Sequence, residues 1–181
     1  MKNFIYNEMM VHVPLCTNKN PQNILIISDN ADELVSEVKK HNSMACESIA
    51  CSLDELSKKA DTSYDVVISE MSGDALSISQ INRVLKDDGL VVTNIDSLED
   101  VEKSKELIST LGKYAKIVMP YRVSEGKMAL LASKEYHPTA DIILQRSDML
   151  DGLEYYNCDV HIGSFAMGNY IRKNYLGIIK N

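Results

Sequence analysis

The sequence predicts an α/β protein: a mostly parallel sheet with helices on both faces, finished by an antiparallel hairpin. Three observations predict it. The short apolar runs "NILII" (23–27) and "YDVVIS" (64–69) have the composition of strands covered on both faces. Segments of helical periodicity alternate with such runs, an order that yields parallel crossovers. Finally, "AKIVMPYRVSEGKMALLAS" reads as two strands joined by a tight turn.

The elements follow in order. "FIYNEMMVHVPL" (4–15) has helical spacing and is expected to end at Pro14. After "NILII", the stretch "ADELVSEVKKH" is a helix that Asn30 could cap, with Glu33 closing a capping box. "SMACESIAC" is weakly strand-like and "LDELSKKA" is a short helix. "ISQINRVLKDDG" is an amphipathic helix expected to stop at Gly89, and "LVVTNI" is the next strand. "SLEDVEKSKELISTLGKY" forms a further helix before the hairpin. This order fits a Rossmann-like fold of the class I methyltransferase type. Ligands in such folds sit at the carboxyl ends of the strands, so the turns after Ile27 and Ser69 are where a site is expected.

The chain of 181 residues shows no repeat and no Pro/Gly-rich linker, so 1–181 is read as one domain. A net charge of −7 argues against nucleic acid, which requires clustered Lys and Arg. No apolar run reaches the ~18 residues of a membrane span, and "MKNFIYNEMM" lacks a signal-peptide core. A cytoplasmic location is therefore expected, with the four scattered cysteines reduced. The four histidines have no metal-ligand spacing, so no metal and no bound cofactor are expected. The first turn, "SDNADE", has no glycine for close approach to a pyrophosphate, and its carboxylates would repel one. A dinucleotide is disfavoured. The same carboxylates suit a cation, or simply favour the helix dipole.

Several segments together resemble the spermidine synthase family, the polyamine aminopropyltransferases. "FIYNEMMVHVPLCTNKNPQNILII" is similar to the family's Tyr-(His/Gln)-Glu-Met helix and its entry into the first strand. "YDVVISEMSGD" with "VLKDDGLVVTN" is similar to the strand and active-site loop, and "EYYNCDVHIGSFAMGNYIRK" to the C-terminal signature. The chain departs from the pattern as a shortened, divergent member. It begins where the family's small N-terminal β domain ends, and the stretch between His41 and Tyr64 is short by roughly a βα unit. The glycine-rich first turn is replaced, with the family's ligand-binding Asp falling on Ala31 between Asp29 and Asp32.

The resemblance implies transfer of an aminopropyl group from decarboxylated S-adenosylmethionine, a co-substrate, to putrescine, giving spermidine. Its ligands would be a nucleoside sulfonium and a polyamine. It implies Asp74 as the general base and Glu70 as amine anchor, with Tyr6 and Tyr121 contacting substrate. Tyr121 stands beside Arg122, where a family Tyr falls. Asn7, Asp29, Asp32 and Glu47 are the implied nucleoside contacts, Glu47 being the acid left to hold the ribose. A homodimer is implied too, with Met9, Met10 and the C-terminal aromatics as apolar surface. The alternative implied by the departures is a non-catalytic relative that binds ligand or serves as a partner subunit.

Overall fold

The computed structural model describes residues 3–181. The elements run α1 (Asn3–Thr17), β1 (Asn23–Ile27), α2 (Asp32–Lys39), β2 (Ala45–Ile49), α3 (Leu53–Ser57), β3 (Tyr64–Ser69), α4 (Ala75–Val84), β4 (Leu85–Ile95), α5 (Val101–Leu111), β5 (Ile117–Ser124), β6 (Lys127–Ser133), α6 (Leu144–Asp148), α7 (Cys158–Ser164) and α8 (Asn169–Asn174). They build a six-stranded sheet in the order β2-β1-β3-β4-β6-β5. The first four strands are parallel, and the β5–β6 hairpin runs antiparallel against β4. The predicted α/β class and its antiparallel finish are both present.

Alternation along the strands divides the core into two layers. Ile24, Ile26, Val66, Ile68 and Val92 face α1 and α2, while Leu25, Ile27, Val67 and Val91 face α4 and α5. Helix α1 is buried from Asn7 to Thr17. Met9 and Met10 are fully buried, so they are core and not the apolar surface expected for a dimer. The exposed large apolar side chains include Tyr155, Ile162 and Tyr170.

Most polar groups buried with α1 find partners, His41 Nδ1 and Asn18 Nδ2 being exceptions. Glu8 is 1% exposed and accepts the N–H groups of Glu154, Tyr155 and Tyr156 at 2.8–2.9 Å. Glu37 accepts from His12 Nε2 at 2.9 Å, which leaves His12 Nδ1 as the acceptor for His41 Nε2–H at 2.9 Å. At the other end of the core the carbonyl of Pro138 accepts from His161 Nε2, so Tyr156 donates its hydroxyl to His161 Nδ1 at 2.8 Å.

Three local expectations are corrected. Helix α1 does not end at Pro14 but continues to Thr17. Pro14 lacks only its own N–H, and the freed last turn is held by Thr17 Oγ1 on Val13 O and by Arg146 on the carbonyls of Leu15, Asn18 and Lys19. Helix α4 stops at Val84, not at Gly89, because Leu85 turns extended and opens β4 with a register shift against β3. Asn30 does not cap α2; Ala31 precedes the helix with no side-chain cap, and Glu33 is bonded elsewhere.

At the hairpin tip, Gly126 at φ 70° closes the two-residue turn that sets Ser124 opposite Lys127. Beyond α8, Lys180 pairs with Val118 through two backbone hydrogen bonds on the outer edge of β5. Among the described residues, no helix is long and apolar enough to cross a membrane.

Candidate active site

The carboxyl ends of β1, β3 and β4 converge beneath the first turns of α1. Just past β1 stands Ser28, just past β3 stands Glu70, and Asn94 lies at the end of β4. Tyr6 reaches down from α1 and donates its hydroxyl to Glu70 Oε1 at 2.6 Å, while Asn94 Nδ2 donates to the Tyr6 oxygen at 2.9 Å. The Ser28 hydroxyl donates to the other Glu70 oxygen and accepts the Asn30 N–H. Burial, then the Glu70 carboxylate, pushes the Tyr6 hydroxyl well above the usual tyrosine range, so it stays protonated and donating.

Two expected residues, Tyr6 and Glu70, are thus brought together. Asn7 lies beside them and donates Nδ2 to Glu33 Oε2 at 2.6 Å. Asp29 accepts the Cys51 N–H at 2.9 Å and ties the ends of β1 and β2 together. Asp32 is exposed in the first turn of α2. Burial and the Asp29 carboxylate both raise the Cys51 thiol, which makes it a poor nucleophile.

The remaining three make no hydrogen bond to this cluster. Asp74 is the N-cap of α4: its oxygens accept the N–H groups of Leu76 and Ser77 and the hydroxyls of Ser72 and Ser77. The Ser77 N–H and hydroxyl lead in holding its carboxyl down at about 2, which makes it a weak proton acceptor. Glu47 is opposite Leu25 in β2, two positions short of the strand end, bonded to Lys59 and Tyr64. It is not at the carboxyl ends where a ribose would lie. Tyr121 is fully buried; its ring stacks on Phe165 and its hydroxyl reaches Met9 O at 3.4 Å.

Three polar cavities flank the Tyr6–Glu70 pair, one of them, of about 320 Å³, lined by Tyr6, Asn94, Asp96 and Lys127. The largest, of about 610 Å³, lies between the β3–α4 and β4–α5 loops. Glu70, Asp74, Asp96, Asp100 and Glu106 line it, against Lys103 as the one cation among the described residues, which pairs with Asp96. The smallest, of about 170 Å³, is lined by Tyr6, Asn7, Asn30, Glu33 and Lys127 among others. Lys127 holds its ammonium 5.4 Å from the centre of the Tyr6 ring. Asn94 and Ser28 escaped sequence reasoning, although each stands at a strand's carboxyl end. Asp96, Asp100 and Glu106 escaped it because acids around an amphipathic helix resemble a solvated face.

The carboxylates and the Tyr6 ring stand at the carboxyl ends of the parallel strands, where ligands of such folds bind. Residues 3–56 match the model of the spermine/spermidine synthase domain. A polyamine aminopropyltransferase of Helicobacter acinonychis is 28% identical, covering 92% of this chain and 75% of its own. One from Clostridium beijerinckii is 25% identical over 93% of this chain and 77% of its own. That second alignment runs over 218 residues, more than the chain contains, so the relative carries internal segments that are absent here. The spermidine synthase of Thermotoga maritima superposes with a TM-score of 0.83 at 24% identity, over 97% of this chain and 75% of that one. The chain is similar to polyamine aminopropyltransferases over more than nine-tenths of its length and spans about three-quarters of theirs.

Proposed function

We propose that this chain is an aminopropyltransferase that moves the aminopropyl group of decarboxylated S-adenosylmethionine to putrescine, giving spermidine. One observation carries the reading: among the described residues, the largest cavity beside Tyr6 and Glu70 presents five carboxylates and one cation. Such a cavity attracts a dicationic amine and repels anions. The curated relatives bear the matching name, polyamine aminopropyltransferase.

The chemistry assigns roles. The attacking amine of putrescine must lose a proton before its lone pair can displace the thioether. Glu70 faces the cavity with both oxygens accepting hydroxyl bonds, one from Tyr6 and one from Ser28, and retains lone pairs for the amine. Glu70 is the proton acceptor on this reading. Asp74 holds the loop, while Asp96 and Asp100 hold the distal ammonium. Asn7 and Asp29 border the nucleoside. The chain works in the cytoplasm as a homodimer, with Tyr155, Ile162 and Tyr170 as the apolar contact.

The test is release of methylthioadenosine from decarboxylated S-adenosylmethionine in the presence of putrescine. Glu70→Gln should lower turnover by about a hundred-fold or more. Full turnover in that variant would remove Glu70 from the chemistry. Nucleoside binding with no turnover in the unaltered chain would instead support the non-catalytic relative.

A further inference from the structure

We propose that the cavity between the end of α2 and the start of α6 is a binding site for a singly protonated phosphate monoester. The cavity, of about 330 Å³, is lined by Lys40, His41 and Arg146 together with the apolar side chains of Met44, Ile143 and Leu150. It lies at the far ends of α1 and α2 from Tyr6 and Glu33, outside the site proposed above. Unlike the three cavities that flank Tyr6 and Glu70, it has no Asp or Glu among its described lining residues. In a chain of net charge −7, a pocket with two cations and no acid favours an anion.

The cations are held in place and keep donors in reserve. Arg146 gives Nη1 to the carbonyls of Leu15 and Asn18 and Nη2 to that of Lys19. Its Nε–H and second Nη2–H make no hydrogen bond with a described residue. Lys40 donates to Glu37 Oε1 and to the Gly152 carbonyl, which leaves one of its three protons. Glu37 does not line the cavity, and its oxygens are already engaged by Lys40 and His12.

One acceptor adds a second requirement. His41 is 7% exposed and lines the cavity, and its Nδ1 has no partner among the described residues. Its Nε2–H is given to His12, so the Nδ1 lone pair is on the side of the ring away from that contact. Burial, then His12, hold His41 down at about 3, so the ring stays neutral and the lone pair stays open. A fitting ligand brings an O–H to His41 as well as anionic oxygens to Arg146 and Lys40. A phosphate monoester with one proton has both. A sulfate ester has the charge without the proton, and a carboxylic acid has one or the other. The cavity has room for roughly eleven liquid waters, more than a phosphate fills, so the ester's organic group lies against Met44, Ile143 and Leu150.

Isothermal titration of the full chain at about pH 6, where about half of a phosphate monoester is singly protonated, tests this with phenyl phosphate, phenyl sulfate and inorganic phosphate. Phenyl phosphate should bind about ten-fold or more tightly than either of the others, and Lys40→Met should weaken it about ten-fold, the loss of one charged hydrogen bond. His41→Phe should bring phenyl phosphate down to the affinity of phenyl sulfate. Should that variant fail to fold, the comparison of phosphate with sulfate on the unaltered chain still decides. Equal binding of the two phenyl esters would overturn the role of His41 and the assignment to phosphate. Inorganic phosphate binding as tightly as phenyl phosphate would overturn the ester and make free phosphate the ligand. Absence of phenyl phosphate binding at millimolar concentration, or an unchanged affinity in Lys40→Met, would overturn the site.

Discussion

The hydroxyl of Tyr6 donates to Glu70 Oε1 at 2.6 Å across 64 positions of sequence, and joins helix α1 to the end of β3. Tyr6→Phe removes that donor and leaves Asn94 Nδ2 without its acceptor. The variant should fold, since the ring remains, and should lose about ten-fold or more in kcat. Methylthioadenosine release measures it. An unchanged kcat would mean that Tyr6 only packs the helix.

Asp74 caps α4 through four hydrogen bonds, so its removal is a stability event. Asp74→Ala should cost about 1 kcal/mol in urea unfolding at neutral pH, whereas Asp74→Asn, itself a good cap, should cost little. The folded carboxyl is depressed to about 2, so the stabilisation is complete above the ordinary Asp range and is lost as pH falls from there through about 2. Turnover should survive in Asp74→Asn; a hundred-fold loss would give the base role back to Asp74.

Two buried histidines make folding sensitive to acid. Burial, and for His41 the neighbouring His12, hold His41 down at about 3, while burial holds His161 at about 4. Unfolded histidines protonate near pH 6.5, so the unfolded chain binds more protons below that point. Stability should therefore fall as pH drops from about 6.5, by up to about 1.4 kcal/mol per pH unit for each group. The loss should level off near pH 4 for His161 and near pH 3 for His41. Urea midpoints at about pH 7 and pH 5 check the slope, and His41→Gln should flatten it.

Glu8 is a carboxylate in the core whose charge is met by three amide N–H groups of the segment before α7. Glu8→Ala leaves those amides without acceptors and opens a cavity, and should cost about 3 kcal/mol or more. Glu8→Gln keeps one acceptor oxygen and should cost less. Equal, small losses in both would mean that water replaces the carboxylate.

How much of this was legible in sequence depended on the range of the forces involved. "NILII" became β1 at its read boundaries, because a buried parallel strand needs nothing beyond its apolar run. Both hairpin strands were legible for a similar reason. The end of α1 was not, because Arg146, more than a hundred positions away, holds the turn that Pro14 weakens. Asn30 looked like a cap because the residue type was right; Glu33, the other half of the box, is taken by Asn7. At the site, Tyr6 and Glu70 were legible through the family resemblance. Their mutual hydrogen bond, and the ring of Asp96, Asp100 and Glu106 across the cavity, arise only when three strand ends meet.

The two backbone hydrogen bonds between Lys180 and Val118 bear on how the protein survives crowded solution. They pair the outer edge of β5 at Val118, whose amide and carbonyl would otherwise be open to another copy. The opposite rim, β2, is only five residues long and carries the charged Glu47. Short length and charge discourage stacking there, and the terminal pairing does the same work at β5. Removing residues 180 and 181 would strip that guard and open the edge of β5 at Val118 to pairing with another copy.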